Sequence, residues 1–135
     1  MSPDAPRVLV VDDSPLNVEL AHFVLTAAGF EVLTAVDGVQ ALDLIAQVRP
    51  ALILMDVQLP DIDGLALTCR LKADPATRDI VIVAFTAYAM KGDEIKMLAA
   101  GCDGYLSKPI VVATFAEAVR GFLQAGASLA RTGTA

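Results

Sequence analysis

Polar residues follow directly on several apolar runs of this 135-residue chain. They are Asp12, Asp13, Asp56, Thr86 and Lys108. Three carboxylates gathered in one place repel one another unless a pKa rises or a cation binds between them. Carboxylate oxygens suit Mg²⁺, which fills its remaining positions with water or phosphate oxygens. A lysine ammonium and a threonine hydroxyl beside such a cation would meet an anion. The set therefore predicts a phosphoryl site with an aspartate as nucleophile.

The elements that must position these residues alternate along the chain. The apolar runs predicted as strands are 7–11, 31–35, 52–55, 80–85 and 104–107. Helical patterns follow them, the first beginning at Pro15 with Ser14 as its N-cap and the last covering 112–124. Strict alternation predicts an α/β fold with a doubly wound parallel sheet and helices on both faces. Such a sheet binds its ligand outside the carboxyl ends of its strands, which is where the polar residues occur.

Apolar spacing also predicts which helix faces are buried. The stripe expected inward on the first helix is Leu16, Leu20, Phe23, Val24 and Ala27. On the helix that begins at Lys91, the residues expected inward are Ile95, Leu98, Ala99 and Cys102. On the last helix they are Phe115, Val119, Phe122 and Leu123.

Composition narrows the classes of protein that this chain can belong to. Hydrophobic residues make up 56% of the chain, which argues against disorder. Ten basic and sixteen acidic residues give a net charge of −6, which disfavours binding to nucleic acid or to an anionic membrane. No uncharged run is long enough to span a bilayer. The cysteines Cys69 and Cys102 are isolated and no signal peptide is recognisable at the start, so we expect a cytoplasmic protein.

Four motifs together resemble the receiver domain of two-component response regulators. They are Val10-Val11-Asp12-Asp13-Ser14, Ile53–Pro60 with Asp63-Gly64, Phe85-Thr86-Ala87, and Gly104–Pro109. The resemblance runs from Arg7 to Gln124, with 1–6 expected as an N-terminal extension and 125–135 as a short flexible tail. Residues 86–93 further resemble stand-alone receivers of the DivK type, and also receivers of hybrid kinases. The implied fold is flavodoxin-like, with five strands in the order 2-1-3-4-5.

The resemblance implies a role for each matching position. Asp56 would accept a phosphoryl group from a histidine kinase or a histidine phosphotransfer protein. Asp13, Asp56 and the backbone carbonyl of Gln58 would ligate Mg²⁺, with Asp12 in or just behind the ligand shell. Lys108, next to a cis bond to Pro109, would pair with the phosphoryl oxygens.

The resemblance also implies a switch rather than an enzyme acting on other molecules. Thr86 would move to the phosphoryl group, and Tyr105 would rotate into the space that it leaves. A downstream protein would then bind the face made by the fourth helix, the fifth strand and the fifth helix. Gln58, Tyr88 and Ala87 would tune the lifetime of the aspartyl phosphate. We expect a monomer or a weak dimer.

Three other interpretations use some of the same residues. A phosphatase of the haloacid-dehalogenase class needs a general acid two residues after its nucleophile, where this chain has Gln58. A nucleotide or flavin binder needs a phosphate loop after the first strand, where this chain has Asp12-Asp13 and no glycine-rich motif. A degenerate receiver, used only for docking, would not need the intact acceptor set.

Overall fold

A parallel sheet with helices on both faces is the architecture of the chain, whose computed structural model describes residues 5–87 and 91–133. The strands and helices alternate over these residues. Their bounds are β1 Arg7–Val11, α1 Pro15–Ala27, β2 Glu31–Ala35, α2 Gly38–Val48, β3 Leu52–Asp56, α3 Gly64–Ala73, β4 Val81–Thr86, α4 Lys91–Ala99, β5 Gly104–Ser107 and α5 Val112–Gly133. The strand order is β2-β1-β3-β4-β5 with every pairing parallel. The predicted flavodoxin-like topology is confirmed.

The sheet divides the core into two layers because successive residues of a strand point to opposite faces. In β3, Leu54 packs in the layer that α1 and α5 cover. Its neighbour Ile53 packs in the other layer, with residues of α2, α3 and α4. β1, β3 and β4 are apolar on both faces, and all but Arg7 of their residues are buried. This continuous burial fixes where each strand ends, and therefore where its first polar side chain emerges.

Helix α1 buries a different face from the one that spacing predicted. Its buried residues are Ala21, Val24 and Leu25, whereas Leu16 is 72% exposed and Phe23 is 71% exposed. Apolar residues occur on both faces of this helix, so periodicity alone does not select the side that meets the sheet. The predicted stripe is wrong at Leu16, Phe23 and Ala27.

Helix α4 also buries a different face from the one that spacing predicted. Met97 is buried under it, whereas Ile95 and Leu98 point outward with 70% and 53% exposure. Cys102 is buried, as predicted. Met97 thus faces the sheet, whereas its neighbour Leu98 does not. The outward apolar residues leave an exposed hydrophobic surface on α4.

Helix α5 is longer than the sequence indicated. The prediction placed its end at Gln124 and a flexible tail beyond, but the helix continues to Gly133. Alanine is frequent in this segment, and it has the highest intrinsic helix propensity. The inward residues Phe115 and Val119 are buried, as predicted. Across the described residues, no helix is both long and apolar enough to cross a membrane.

The contact between β5 and α5 depends on a glycine, which gives a test of the fold. A Cβ atom at Gly104 would overlap the ring of Phe122, whereas a Cβ at Gly121, on α5, meets nothing within 4 Å. We therefore expect Gly104→Ala to lower the free energy of unfolding by about 1–3 kcal/mol through overpacking. Gly121→Ala is the matched control and should raise it by up to about 1 kcal/mol. Urea denaturation of both variants checks this, and equal effects would contradict the assigned packing.

Candidate functional site

The carboxyl ends of β1, β3 and β4 and the loop after β5 bring the predicted polar residues into one cleft. This cleft has a volume of about 340 Å³. Its lining is Asp12, Asp13, Ser14, Asn17, Asp56, Gln58, Thr86, Ala87 and Lys108. The sequence predicted most of these residues from their position after the strands. It did not predict that Asn17 lines the cleft, although a position in the first turns of α1 is compatible with that.

Three carboxylates form the acidic part of the cleft. Asp12, Asp13 and Asp56 each offer one oxygen, and these oxygens lie within 4.8 Å of one another. Asp12 is fully buried and Asp56 is 5% exposed, whereas Asp13 is exposed. Burying like charges this close is unfavourable without a compensating cation. The donors are hard oxygens on one side of an open cleft, so this group fits Mg²⁺ with water or phosphate completing its shell.

Lys108 supplies the positive charge within the cleft. Its Nζ atom lies 2.8 Å from Asp12 Oδ2 and 3.5 Å from Asp56 Oδ2. The backbone amide of Lys108 donates to the Thr86 carbonyl at 2.8 Å, and the bond to Pro109 is cis, as predicted. One ammonium among three carboxylates leaves the cleft with excess negative charge. This charge excess would attract a divalent cation.

Asp56 is the carboxylate whose environment differs most from water. Burial raises the pKa of Asp56 above its ordinary value, while the backbone amide of Gln58 and the charge of Lys108 act in the opposite direction. The carboxylates of Asp12 and Asp13 raise its pKa further. The Gln58 amide donates to Asp56 Oδ1 at 3.0 Å and so fixes one oxygen. The orientation of Asp56 is therefore set before any ligand arrives.

The loop after Asp56 is held at several points. The amide of Gly64 donates to the Val57 carbonyl at 2.9 Å, and any Cβ at Gly64 would overlap the backbone carbonyl of Asp56. Asp63 caps α3 by accepting from the Leu65 amide at 2.7 Å. Asp61 accepts from the backbone amides of Gly38 and Val39 at the start of α2, which lowers the pKa of Asp61. These contacts fix the path of the chain at Gln58.

The residues predicted to switch lie on the side of the sheet covered by α3 and α4. Thr86 is buried at the end of β4 and lines the cleft, and Ala87 beside it is exposed. Tyr105 is half-buried against the layer that contains Ala84 and Met97, and it is not among the residues that line the cleft. Tyr88 lies outside the described residues. Thr86 and Tyr105 are thus on adjacent paired strands, β4 and β5.

The fold and this acidic cleft define a class of protein that comparison with known sequences identifies. The family model of the response regulator receiver domain matches residues 8–120, so the chain belongs to that family. Among its relatives is the polar-differentiation response regulator DivK of Brucella anthropi, 45% identical over 116 residues. That alignment covers 86% of this chain and 94% of the relative. The DivK of Brucella ovis is 44% identical over the same length.

Solved structures agree with this assignment. A response regulator from Chloroflexus aurantiacus superposes with a TM-score of 0.85 at 33% identity, covering 90% of this chain and 99% of the other. The receiver domain of a sensor histidine kinase from Pseudomonas aeruginosa gives a TM-score of 0.80 at 32% identity, covering 89% and 98%. That structure has a magnesium ion coordinated in its active-site cleft. The chain is therefore a DivK-like receiver domain of the two-component signalling class.

The raised pKa of Asp56 gives a prediction about stability and pH. A carboxyl whose pKa is higher in the folded state favours folding when protonated, so the parent loses stability as pH rises above the unfolded value. Without divalent cations at pH 7, Asp56→Asn should therefore raise the free energy of unfolding by about 0.5–2 kcal/mol. The gain should shrink below about pH 4, where both states of the parent bind the proton.

Thermal unfolding across this pH range measures the effect. Asp43→Asn, which changes an exposed carboxylate on α2, is the matched control and should show no such gain. A loss of stability in Asp56→Asn at pH 7 would contradict the electrostatic account of the cleft.

Proposed function

We propose that this chain is a phosphoacceptor switch that receives a phosphoryl group on Asp56. The observation that carries the proposal is the position of Asp56, which is buried among two other carboxylates with Lys108 at 3.5 Å. The donor would be the phosphohistidine of a histidine kinase or of a histidine phosphotransfer protein. The chain would catalyse only its own phosphorylation and dephosphorylation, and no reaction of a separate substrate.

The transfer step needs a nucleophile, charge neutralisation and an open approach. An Asp56 carboxylate oxygen forms the new O–P bond while the P–N bond to the donor imidazole breaks, and the imidazole nitrogen keeps the electron pair. Asp12, Asp13, Asp56 and the backbone carbonyl of Gln58 would hold Mg²⁺. When bound, Mg²⁺ would supply positive charge for the phosphoryl oxygens. Lys108 would supply a second positive charge in the same cleft, and the small side chain of Ala87 leaves the cleft open to the donor.

The signal would arise from contacts that exist only after transfer. An aspartyl phosphate adds negative charge and strong acceptor oxygens, to which Lys108 and the Thr86 hydroxyl would bind. Movement of Thr86 would free space for Tyr105 to rotate inward. Because these contacts differ between the two states, they can shift the balance between them.

The downstream partner would be a protein that binds the surface of α4, β5 and α5. Support comes from the outward Ile95 and Leu98 on α4, since exposed large apolar residues on one helix are suited to a protein interface. The protein would work in the cytoplasm, where Cys69 and Cys102 stay as the free thiols seen in the structure. It would act as a monomer or weak dimer, without nucleic acid or membrane as a partner.

Two positions beside the cleft would set how long the phosphoryl group persists. Gln58 is exposed at the rim, where its amide could orient an attacking water. Tyr88 follows Ala87 by one residue and would shield the same path.

Phosphorylation by a small donor tests the acceptor assignment. With acetyl phosphate and Mg²⁺, we expect the parent to gain one phosphoryl group by intact mass and Asp56→Asn to gain none, because its amide is not a nucleophile. Chelation of Mg²⁺ should abolish labelling of the parent. Asp63→Asn is the matched control, since asparagine also caps α3, and it should be labelled like the parent. Labelling of Asp56→Asn at the parental rate would refute the assignment.

The role of Lys108 is tested by separating phosphorylation from its consequence. In Lys108→Ala we expect Asp56 to be labelled still, because Mg²⁺ would remain as a source of positive charge. Phosphorylation should no longer cause amide chemical-shift changes along α4, β5 and α5, because the ion pair between the phosphoryl group and Lys108 is missing. Lys108→Arg keeps the charge and should retain part of the response. Full shift changes in the labelled alanine variant would remove Lys108 from the switch.

A further inference from the structure

Lys108 reaches the cleft by crossing a neighbouring strand. It follows β5, whereas Asp56 ends β3, and β4 lies between these two strands in the sheet. The β4 residue paired with Asp56 is Phe85, which packs in the layer covered by α1 and α5. The lysine side chain therefore passes over the end of β4 at Phe85.

The ring of Phe85 lies directly under the ammonium group. Lys108 Nζ is 5.1 Å from the ring centroid, within the range of a cation–π interaction. Phe85 is fully buried and the side chain of Lys108 is 15% exposed, so water screens this contact only weakly. The ring face carries partial negative charge without being a metal ligand or a base.

A second aromatic ring packs against Phe85. Phe115 of α5 is buried, with its ring centroid 5.8 Å from that of Phe85 and the planes inclined at 44°. Such tilted pairs are a favoured aromatic geometry. The ring of Phe85 thus contacts α5 as well as Lys108.

The Phe85 ring is a contact for Lys108 that does not depend on Asp12, for which a cation and the lysine compete. Asp12 is the nearest anion to Lys108 at 2.8 Å, yet Asp12 also belongs to the carboxylate group that fits a cation. A divalent cation bound by Asp12 would weaken the ion pair between Asp12 and Lys108. The Phe85 ring is outside this competition, so it can keep the ammonium over the cleft when the carboxylates are engaged.

We propose that Phe85 is a positioning residue, whose ring holds the Lys108 ammonium where the phosphoryl oxygens arrive. The inference rests on the proposed function, because Lys108 would pair with a phosphoryl group only if Asp56 accepts one. It predicts that an aliphatic residue at position 85 fills the core but loosens Lys108.

The test compares Phe85→Leu with Phe115→Leu. The second change removes a buried ring that packs beside Phe85 but is not the ring that Lys108 lies over. The functional readout is the affinity for beryllofluoride, a phosphoryl mimic, at saturating Mg²⁺. Phe85→Leu should weaken it by about threefold to tenfold, and Phe115→Leu by less than about twofold. Mg²⁺ affinity should be equal in all three proteins, which a loss of fold would not give.

The structural readout does not depend on the acceptor chemistry. In the parent, the ring current of Phe85 should shift the NMR signals of the Lys108 ε-methylene protons upfield. This shift should vanish in Phe85→Leu and persist in Phe115→Leu. A series of mono-, di- and trifluorinated phenylalanines at position 85 keeps the shape and weakens the ring face stepwise, so beryllofluoride affinity should fall in the same order.

Each result decides between the two proposals. Equal beryllofluoride affinity in the parent and Phe85→Leu, or no trend along the fluorinated series, would overturn the role of Phe85 while leaving Asp56 as acceptor. If the parent itself fails to bind beryllofluoride with Mg²⁺, the proposed function is wrong. In that case the Lys108 methylene shift still tests the contact, and its absence from the parent overturns the placement of Phe85.

Discussion

Excess negative charge in a small, partly buried cleft is the constraint on which the site depends. Asp12 and Asp56 are withdrawn from water and share the cleft with Asp13 and the Lys108 ammonium. Such an arrangement lowers the stability of the metal-free chain. In the proposed function, a cation and a phosphoryl group would relieve this unfavourable charge. The pKa of Asp56 is raised for the same reasons, namely its burial and the neighbouring carboxylates.

The sheet makes this arrangement possible by ending apolar strands at one edge. β1 and β3 are buried almost throughout, so their first polar side chains emerge together beyond the core. Side-chain alternation along the strands then places the polar residues of the cleft on different faces of the sheet. Asp56 pairs across the sheet with Phe85, on the side of α1 and α5, whereas the next residue, Thr86, follows the opposite alternation toward α4. Lys108 bridges the strands and has contacts with both Asp12 and Phe85.

Much of this was predictable from the sequence, for identifiable reasons. The strands came from continuous apolar runs, and Asp12, Asp56, Thr86 and Lys108 came from standing directly after them. Helix faces were less predictable, because α1 carries apolar residues all round and Leu16 and Phe23 turned outward. The length of α5 was missed because small residues beyond Gln124 resemble a tail by composition and a helix by propensity.

The contact of Phe85 with Lys108 could not be predicted from the sequence, for a different reason. Phe85 reads as one more residue of an apolar strand, and nothing in its spacing separates it from Val83. Its place beneath the ammonium depends on the sheet order, which places β4 between Lys108 and Asp56. Knowledge of the strand order, together with side-chain alternation, would have directed attention to it.

The claim that the cleft is built for a divalent cation is tested most directly by titrating Mg²⁺ into the metal-free chain and following amide chemical shifts. We predict one saturable site, with the largest shifts at Asp12, Asp13, Asp56 and Gln58. Asp13 is exposed, so Asp13→Ala should leave the fold intact and abolish saturation, whereas Asp43→Ala should change nothing. Absence of saturation in the parent, or saturation that survives Asp13→Ala unchanged, would contradict the account.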